Sequence, residues 1–267
     1  MKLRIATWNI NSVRLRAPQV VKFLQEEAPD VLCLQEIKCE NDAFPTATFR
    51  KAGYEHMAVN GQKGYHGVAI VSRRPITNVD RRGFCGKSDS RHISAVLGAV
   101  PGQPVLHNFY VPAGGDEPDP ERNDKFAHKL DFLDEMTEWF AASAGKGSQI
   151  LVGDLNIAPF ESDVWSHKQL LKVVSHTPVE VERLARVRGS LDWVDVMRAH
   201  TPEPEKLFTW WSYRAKDWRA SNRGRRLDHI WVTPDLAGSA EDMRVIEAAR
   251  SWERPSDHAP VIADFRF

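Results

Sequence analysis

Short apolar runs recur along the whole 267-residue chain, and they constrain its fold more than any other feature. Val31–Leu34 and Ile150–Val152 are apolar at every position, which is typical of strands covered on both faces of a sheet. The predicted strands are Lys2–Trp8, Val31–Gln35, Val68–Ser72, His92–Val100, Val105–Val111, Ile150–Gly153, Asp228–Thr233 and Val261–Phe267. These runs predict sheets that lie between layers of helix.

Amphipathic segments with helical spacing fill the gaps between the predicted strands. One such segment contains Phe126, Leu130, Leu133, Met136 and Phe140. Its apolar residues step by three and four, which predicts a helix that Gly145 ends. A second helix is predicted after Thr177, with Pro178 in the first turn, Glu180 completing a capping box and Gly189 at the end.

No linker or low-complexity tract divides the chain. The loop Pro112–Pro120 is rich in glycine, proline and acids, but strand and helix patterns continue on both sides of it. We therefore predict one α/β domain over residues 1–267, with two sheets and outer helices.

Cysteine content and hydropathy bear on the compartment. The three cysteines, Cys33, Cys39 and Cys85, are odd in number and have no metal-like spacing. This usage favours a reducing environment, so we expect a cytoplasmic protein. No run of 18 apolar residues occurs, and we expect no membrane association.

The segment Arg214–Arg226, called the basic segment below, is a local basic patch in a chain with 36 basic and 36 acidic residues. Its basic residues are Arg214, Lys216, Arg219, Arg223, Arg225 and Arg226, against the single acid Asp217. Trp210, Trp211 and Trp218 lie in or beside it. Interleaved basic and aromatic side chains favour contact with nucleic-acid phosphates. The alternatives are a solvated face for the charges and a core position for Trp210 and Trp211.

Polar side chains follow several predicted strands at the point where each strand ends or the next begins. The four groups are Asn9-Ile10-Asn11, Glu36-Ile37-Lys38, Asp154-Leu155-Asn156 and Asp257-His258. Taken alone, Glu36 and the Asp154–Asn156 group have a plain structural interpretation as a cap or turn. The Asp257-His258 pair is more specific, because an Asp-His pair between Ser256 and Pro260 has little structural purpose. Together the four groups supply the carboxylate and amide oxygens that a hard divalent cation prefers, and they predict a metal site that acts on phosphate.

These motifs resemble those of the exonuclease III family of abasic-site DNA endonucleases, within the endonuclease/exonuclease/phosphatase superfamily. The resemblance extends from Trp8 to Pro260, effectively the whole chain. Further shared motifs are Gly64–Ala69, Tyr110-Val111-Pro112, Phe208–Trp211 and Arg226-Leu227-Asp228. The resemblance implies a four-layered α/β sandwich, in which two packed sheets are flanked by helices.

The resemblance also implies roles for individual residues. The metal site would comprise Asn9, Glu36, Asp154, Asn156, Asp257 and His258. The catalytic residues would be Tyr110, Asp154, Asn156, Asp228 and His258. The DNA-binding residues would be Asn11, Lys38, Arg91, Trp210, Arg219, Arg223 and Arg225. Asp228 would hold His258, and either Asp154 or His258 would take the proton of the attacking water, with Asp154 favoured.

The expected activity is hydrolysis of DNA phosphodiesters during repair, with Mg²⁺ as the cofactor and Mn²⁺ as its alternative. The substrate would be duplex DNA with abasic sites or 3′ ends, the products a 3′-hydroxyl and a 5′-phosphate, and the enzyme a monomer. The sequence leaves open whether one or two metals act.

Two departures from the family leave the balance between abasic incision and 3′→5′ exonuclease activity open. Arg225 stands where related animal enzymes carry Trp, and Asp116 where some relatives place Arg. The competing hypotheses are a phosphoinositide or sphingomyelin phosphatase of the same superfamily, and a non-catalytic DNA-binding relative. The basic segment argues against the first, and the complete set of metal-site residues against the second.

Overall fold

Two six-stranded sheets form the centre of the computed structural model, which describes residues 1–267. The first sheet contains β1 (Lys2–Asn9), β2 (Val31–Gln35), β3 (His56–Asn60), β4 (Val68–Ser72), β13 (Ala240–Val245) and β14 (Val261–Arg266). The second contains β5 (Thr77–Asp80), β6 (His92–Val96), β7 (Val105–Tyr110), β8 (Gln149–Asp154), β9 (Val194–Asp195) and β12 (Asp228–Val232). A separate two-stranded ribbon pairs β10 (Trp210–Trp211) with β11 (Gly224–Arg225).

The outer face of the first sheet packs against α1 (Val13–Glu26) and α2 (Thr46–Lys51), and that of the second against α3 (Asp124–Ala141) and α5 (Pro178–Gly189). The shorter helices are α4 (His167–Leu170), α6 (Val196–His200) and α7 (Trp218–Ser221). Short 3₁₀ turns occupy Asn41–Ala43, Glu161–Asp163, Pro234–Ser239 and Glu247–Ser251. No helix combines the length and hydrophobicity needed to cross a lipid bilayer.

The two sheets share one topological feature that sets the position of the site. The order of the first is β13-β14-β1-β2-β4-β3, and that of the second is β5-β6-β7-β8-β12-β9. Each has a single parallel pair at its centre, β1 with β2 and β7 with β8. Parallel neighbours need a crossover, which α1 and α3 provide. The carboxyl ends of these four strands meet at one end of the sandwich, where β1 contacts β8 and β2 contacts β7.

Three apolar clusters separate the layers. The largest has 24 buried residues and lies between the sheets, including Ile5, Val31, Ile150 and Ile230. A second cluster packs the first sheet against α1 and α2, and a third packs the second sheet against α3 and α5. The predicted α/β sandwich of two sheets flanked by helices is therefore confirmed.

Seven of the eight predicted strands are present with ends that agree within one residue. The exception, His92–Val100, ends at Val96, because the chain turns there and the Val100 amide donates to the Leu97 carbonyl. The sequence pattern does not reveal β3, β5, β9 and β13, which are the four edge strands. Edge strands are partly exposed and lack an apolar run, so periodicity does not detect them.

Helix boundaries follow the capping signals only in part. The capping box at Thr177 forms as predicted, with the Thr177 amide donating to the Glu180 carboxylate at 3.1 Å, and α5 ends at Gly189. In contrast, α3 ends at Ala141, and Gly145 lies in the turn beyond it. Periodicity does not predict helix α1, because Pro18 and several charged side chains interrupt its apolar pattern.

Arg226 is buried and cannot contact DNA. The prediction that the basic residues of the basic segment contact phosphates is therefore wrong for this residue. Its side chain is fully buried, where Nε lies 2.8 Å from Asp163 Oδ1 and Nη1 lies 2.8 Å from Asp195 Oδ2. Arg198 also pairs with Asp163. A buried guanidinium with two carboxylate partners is part of the folded scaffold rather than a contact for DNA.

Replacing Arg226 with Met should destabilise the fold strongly, because Asp163 and Asp195 would lose a buried counter-ion. We expect the free energy of unfolding to fall by about 3–5 kcal/mol, measured by urea titration. The matched control is Arg122→Met, whose ion pair with Glu117 is exposed and should contribute little. Similar unfolding midpoints for both variants would show that the buried network does not support the fold.

Candidate active site

A cleft of about 870 Å³ opens at the end of the sandwich where the parallel strands terminate. Glu36, Tyr110, Asn156, Asp257 and His258 line it. Tyr110 ends β7, and the other four come from three of the four polar groups that the sequence predicts as a metal site. The remaining group is joined to them through Asn9, whose side-chain amide donates to Glu36 and to Asp154.

Glu36 is the centre of the hydrogen bonds at the base of the cleft. Its Oε1 accepts from Asn9 Nδ2 at 2.9 Å and from the Tyr110 hydroxyl at 2.9 Å. Its Oε2 lies 2.8 Å from Lys38 Nζ. Burial, with the charges of Glu36 and Asp154 adding to it, raises the pKa of Tyr110 well above its ordinary value. Tyr110 therefore stays protonated and remains a hydrogen-bond donor.

The backbone after β2 holds Glu36 in an unusual conformation. Glu36 and Lys38 have φ of 48° and 52°, in the left-handed region that non-glycine residues rarely adopt. The Ile37 amide between them donates to the Gly67 carbonyl at 3.1 Å. A Cβ at Gly67 would lie 2.5 Å from the Ile37 side chain, so only glycine permits this approach. Strain of this kind is typical of functional sites.

Asp257 also lines the cleft and is held by two side-chain donors. Asn11 Nδ2 donates to its Oδ1 at 3.1 Å, and Trp210 Nε1 donates to its Oδ2 at 3.0 Å. Burial opposes ionisation, but the His258 charge and these two bonds outweigh it and lower the pKa of Asp257. Lys38 Nζ also donates to Asn11 Oδ1 at 2.6 Å, which links this group to Glu36.

The positions of Asp257 and His258 are set by backbone pairing with the segment before β10. The Trp211 amide donates to the Asp257 carbonyl at 3.0 Å, and the Ala259 amide donates to the Thr209 carbonyl at 2.7 Å. This short ladder places the tryptophan segment and the histidine on the same wall of the cleft.

Asp154 and Asn156 form a tight turn at the end of β8. The Asn156 amide donates to Asp154 Oδ1 at 2.9 Å, while Asp154 Oδ2 accepts from Asn9 Nδ2 at 2.8 Å. Burial raises the pKa of Asp154 to about 7, with the His258 charge opposing the shift and the Asp228 charge adding to it. A carboxylate with a pKa near neutrality suits a general base.

His258 is held between two carboxylates. Its Nδ1 lies 2.8 Å from Asp228 Oδ2, and its Nε2 lies 3.7 Å from Asp154 Oδ2. The Thr209 hydroxyl donates to the same Asp228 oxygen at 2.6 Å. Burial lowers the pKa of His258, but the charges of Asp228, Asp154 and Asp257 outweigh it and raise the pKa to about 10. His258 is therefore an imidazolium at neutral pH. Both members of the His258–Asp228 pair are buried, in a polar cluster outside the apolar ones.

The most compact group of ligand atoms is not the most suitable metal site. Ligand atoms of Asp154, Asp228 and His258 all lie within 4.8 Å of one another. An imidazolium has no free lone pair, however, so His258 cannot coordinate a cation in this state. Glu36 and Asp257, with nearby amides, offer the oxygen donors that a hard cation takes. The residues present fit a divalent metal on the Glu36 side of the cleft.

The predicted DNA-binding residues lie in three different environments. Arg91 is buried, pairs with Asp89 and lies 5.1 Å from the centre of the Tyr110 ring, behind the cleft. Arg219 and Arg223 are exposed. Arg225 is partly buried and lines the cleft.

Of the two adjacent tryptophans, one occupies the core and the other lines the cleft. Trp211 is buried among apolar side chains, whereas Trp210 is half-buried and forms a wall of the cleft. Strand alternation explains the split, because consecutive side chains point to opposite faces.

A buried ion pair that the sequence pattern does not predict supports Asn156. Lys129 Nζ donates to the Asn156 carbonyl at 2.8 Å and pairs with Glu180, both side chains being fully buried. The signal that could have revealed it is spacing, since Lys129 lies three residues after Phe126 and four before Leu133, on the apolar face of α3. A charge on that face requires a buried partner.

Comparison with known proteins agrees with this geometry. Residues 6–258 match the endonuclease/exonuclease/phosphatase family. Exodeoxyribonuclease III of Haemophilus influenzae is 32% identical over 99% of this chain and 100% of its own. The solved structure of an AP endonuclease from Archaeoglobus fulgidus superposes with a TM-score of 0.91 at 33% identity, covering 99% of this chain and 100% of the other.

A second solved structure, the 3′ phosphatase NExo from Neisseria bound to a product DNA hairpin, gives a TM-score of 0.90 at 33% identity. It covers 99% of this chain and 100% of its own. The chain therefore belongs to the endonuclease/exonuclease/phosphatase family, whose members are metal-dependent. The predicted resemblance to the exonuclease III branch is confirmed.

The charge state of His258 can be tested directly in metal-free protein. We expect its imidazole to remain protonated at pH 8, and Asp228→Asn to lower its pKa because the strongest attraction is removed. The measurement is the ¹⁵N shifts of labelled imidazoles during a pH titration with chelator present. His107 is an internal reference, because burial lowers its pKa to about 4. Titration of wild-type His258 near pH 6.5 would refute the assignment.

Proposed function

We propose that this chain hydrolyses phosphodiesters in duplex DNA during base-excision repair. It would incise on the 5′ side of abasic sites, remove nucleotides from 3′ ends, or do both. The observation that carries this proposal is the convergence of Glu36, Asp154 and His258 at the base of a cleft whose wall bears the basic segment. The names of its relatives, an exodeoxyribonuclease and an AP endonuclease, support the same reaction class.

We propose Mg²⁺ as the cofactor, with Mn²⁺ as the alternative. Glu36 and Asp257 would hold it through their carboxylates, and Asn9 would contribute through its amide or through a bound water. A divalent cation at this position neutralises the phosphate and stabilises the departing oxygen. Asp154 and Asn156 are also predicted as metal ligands. They are better suited to binding the attacking water and the phosphate than to binding the metal.

The protein's own residues would divide the remaining chemistry among them. Asp154 would accept the proton of the attacking water, because its pKa lies near neutrality and its Oδ2 lies 3.7 Å from Nε2 of His258, which lines the cleft. His258, held as an imidazolium by Asp228, would stabilise the negative charge that grows on the phosphate oxygens. Tyr110 would donate its hydroxyl hydrogen to phosphate, and Asn156 would donate from its side-chain amide.

DNA is the favoured substrate because of what surrounds the catalytic residues. Arg214, Arg223 and Arg225 line the same cleft as Glu36 and His258. Trp210 provides an aromatic wall, which suits a nucleotide turned out of the helix. The duplex would be bound through its phosphates without sequence preference. A single domain over residues 1–267, a monomeric state and a cytoplasmic location complete the proposal.

Glu36→Gln should abolish most of the turnover, since it keeps the shape of the side chain but removes the charge that a hard cation needs. We expect incision of a duplex with a tetrahydrofuran abasic analogue to fall on the order of 100-fold or more. The measurement is single-turnover cleavage across a Mg²⁺ titration, with chelator as the zero point. Glu40→Gln, an exposed acid four residues away, is the control and should behave as wild type. Wild-type cleavage by Glu36→Gln at limiting Mg²⁺ would disprove the ligand assignment.

Loss of Arg219 and Arg223 should flatten the salt dependence of DNA binding. Each phosphate contact that is lost should lower the log–log slope by about one, because fewer counter-ions are released. Fluorescence anisotropy of a labelled duplex over a range of salt concentrations measures this slope for Arg219→Gln, Arg223→Gln and the double variant. Arg266→Gln, at the exposed end of β14, is the control. Equal slopes in all proteins would mean that the basic segment faces solvent in the complex.

A further inference from the structure

Arg225 is a cation without a carboxylate partner inside the cleft. Its guanidinium donates only through Nη1, to the Val174 carbonyl at 3.0 Å and to Ser175 Oγ at 2.7 Å. Nε is buried and has no acceptor, and no acidic side chain forms an ion pair with this residue. Arg82 and Arg250 also have a buried Nε without an acceptor, but Arg82 pairs with Glu135, and Arg250 donates to the Ser256 and Trp211 carbonyls.

The surrounding contacts hold Arg225 firmly in this position. Its guanidinium lies 5.3 Å from the centre of the Trp210 ring, and Trp210 is itself bonded to Asp257. The Ser175 anchor has φ of 87°, and its amide donates to the Glu180 carboxylate at 2.9 Å. Lys129 neutralises that carboxylate. A preorganised cation stacked on an aromatic ring is suited to binding an anion.

A neutral sugar does not satisfy such a group. The sugar of an abasic site would meet a guanidinium where an aromatic or aliphatic wall would suit it better. A phosphomonoester differs from a diester at one point: it carries an additional anionic oxygen where the diester continues into the next sugar. Arg225 and Trp210 line the same cleft as Glu36 and His258, so this additional oxygen is the group that the Arg225 guanidinium would bind.

We propose that Arg225 is a specificity-determining residue that binds the terminal phosphate of a DNA 3′ end in preference to the neutral sugar of an abasic site. The inference rests on the proposed phosphoesterase function and names its substrate class. Hydrolysis of such an end forms a bond from water oxygen to phosphorus and breaks the bond from phosphorus to the 3′ oxygen. The proton that water loses ends on the 3′ oxygen, which leaves a 3′-hydroxyl and inorganic phosphate.

The test compares two substrates of identical sequence, a hairpin with a 3′-phosphate and one with an internal tetrahydrofuran. Arg225→Leu removes the charge but keeps apolar bulk, and Arg225→Lys keeps the charge but loses the planar fork. We expect the ratio of kcat/KM for the 3′-phosphate to that for tetrahydrofuran to fall about 10- to 100-fold in Arg225→Leu, and less in Arg225→Lys. Arg223→Gln removes a charge that lacks the Ser175 anchor of Arg225, and it should lower kcat/KM for both substrates in parallel. A parallel loss in Arg225→Leu would overturn the proposal.

A binding measurement separates failure of this inference from failure of the proposed function. In a Glu36→Gln background without Mg²⁺, the protein should bind the 3′-phosphate hairpin more tightly than the matching 3′-hydroxyl hairpin. Adding Arg225→Leu should remove that preference. Equal affinity for both hairpins with Arg225 intact would overturn the inference. Intact substrates after incubation of wild type with Mg²⁺ would overturn the proposed function, and the binding preference would then decide the role of Arg225 by itself.

Discussion

Side-chain amides join the two sheets at the end where the site lies, and the geometry of the cleft depends on them. The Asn9 amide, on the first sheet, donates to Glu36 of its own sheet and to Asp154 of the other. Deeper in the same interface Gln35 Nε2 donates to Asn108 Oδ1 at 2.7 Å. Apolar packing alone tolerates small shifts between sheets, whereas these buried, directional bonds fix their relative position. Glu36, proposed to hold the metal, and Asp154, proposed as the general base, are thereby held in one arrangement.

This arrangement concentrates negative charge, and the protonation states follow from it. Asp154, Asp228 and Asp257 all lie close to His258, and each carboxylate makes the imidazolium more stable. Burial raises the pKa of Asp154, and repulsion from the carboxylates of Asp228 and Glu36 adds to the shift. The same crowding lowers the energy of any cation that enters near Glu36. A proton on His258 and the metal proposed beside Glu36 would therefore be two responses to one excess of buried negative charge.

A buried ion pair between Lys129 and Glu180 holds other residues of the cleft in position. The buried Lys129–Glu180 pair fixes two loops at once, since Lys129 holds the Asn156 carbonyl and Glu180 holds the Ser175 amide. Ser175 in turn anchors Arg225. An ion pair of this kind contributes less to stability than to position, because desolvation offsets much of its attraction. Its effect is that Asn156 and Arg225 line the cleft from a rigid frame.

Local pattern was sufficient to locate the buried strands and the four polar groups at their ends, because apolar runs and abrupt polar residues are properties of neighbours in sequence. The same pattern could not reveal the edge strands, which lack a continuous apolar run. It also could not separate Arg226, which pairs with Asp163 and Asp195, from Arg225, which faces the cleft. The two arginines are identical and adjacent, so the sequence pattern cannot show which one is buried. Only the tertiary structure decides between them, since their partners lie tens of residues away and strand alternation sends consecutive side chains to opposite faces.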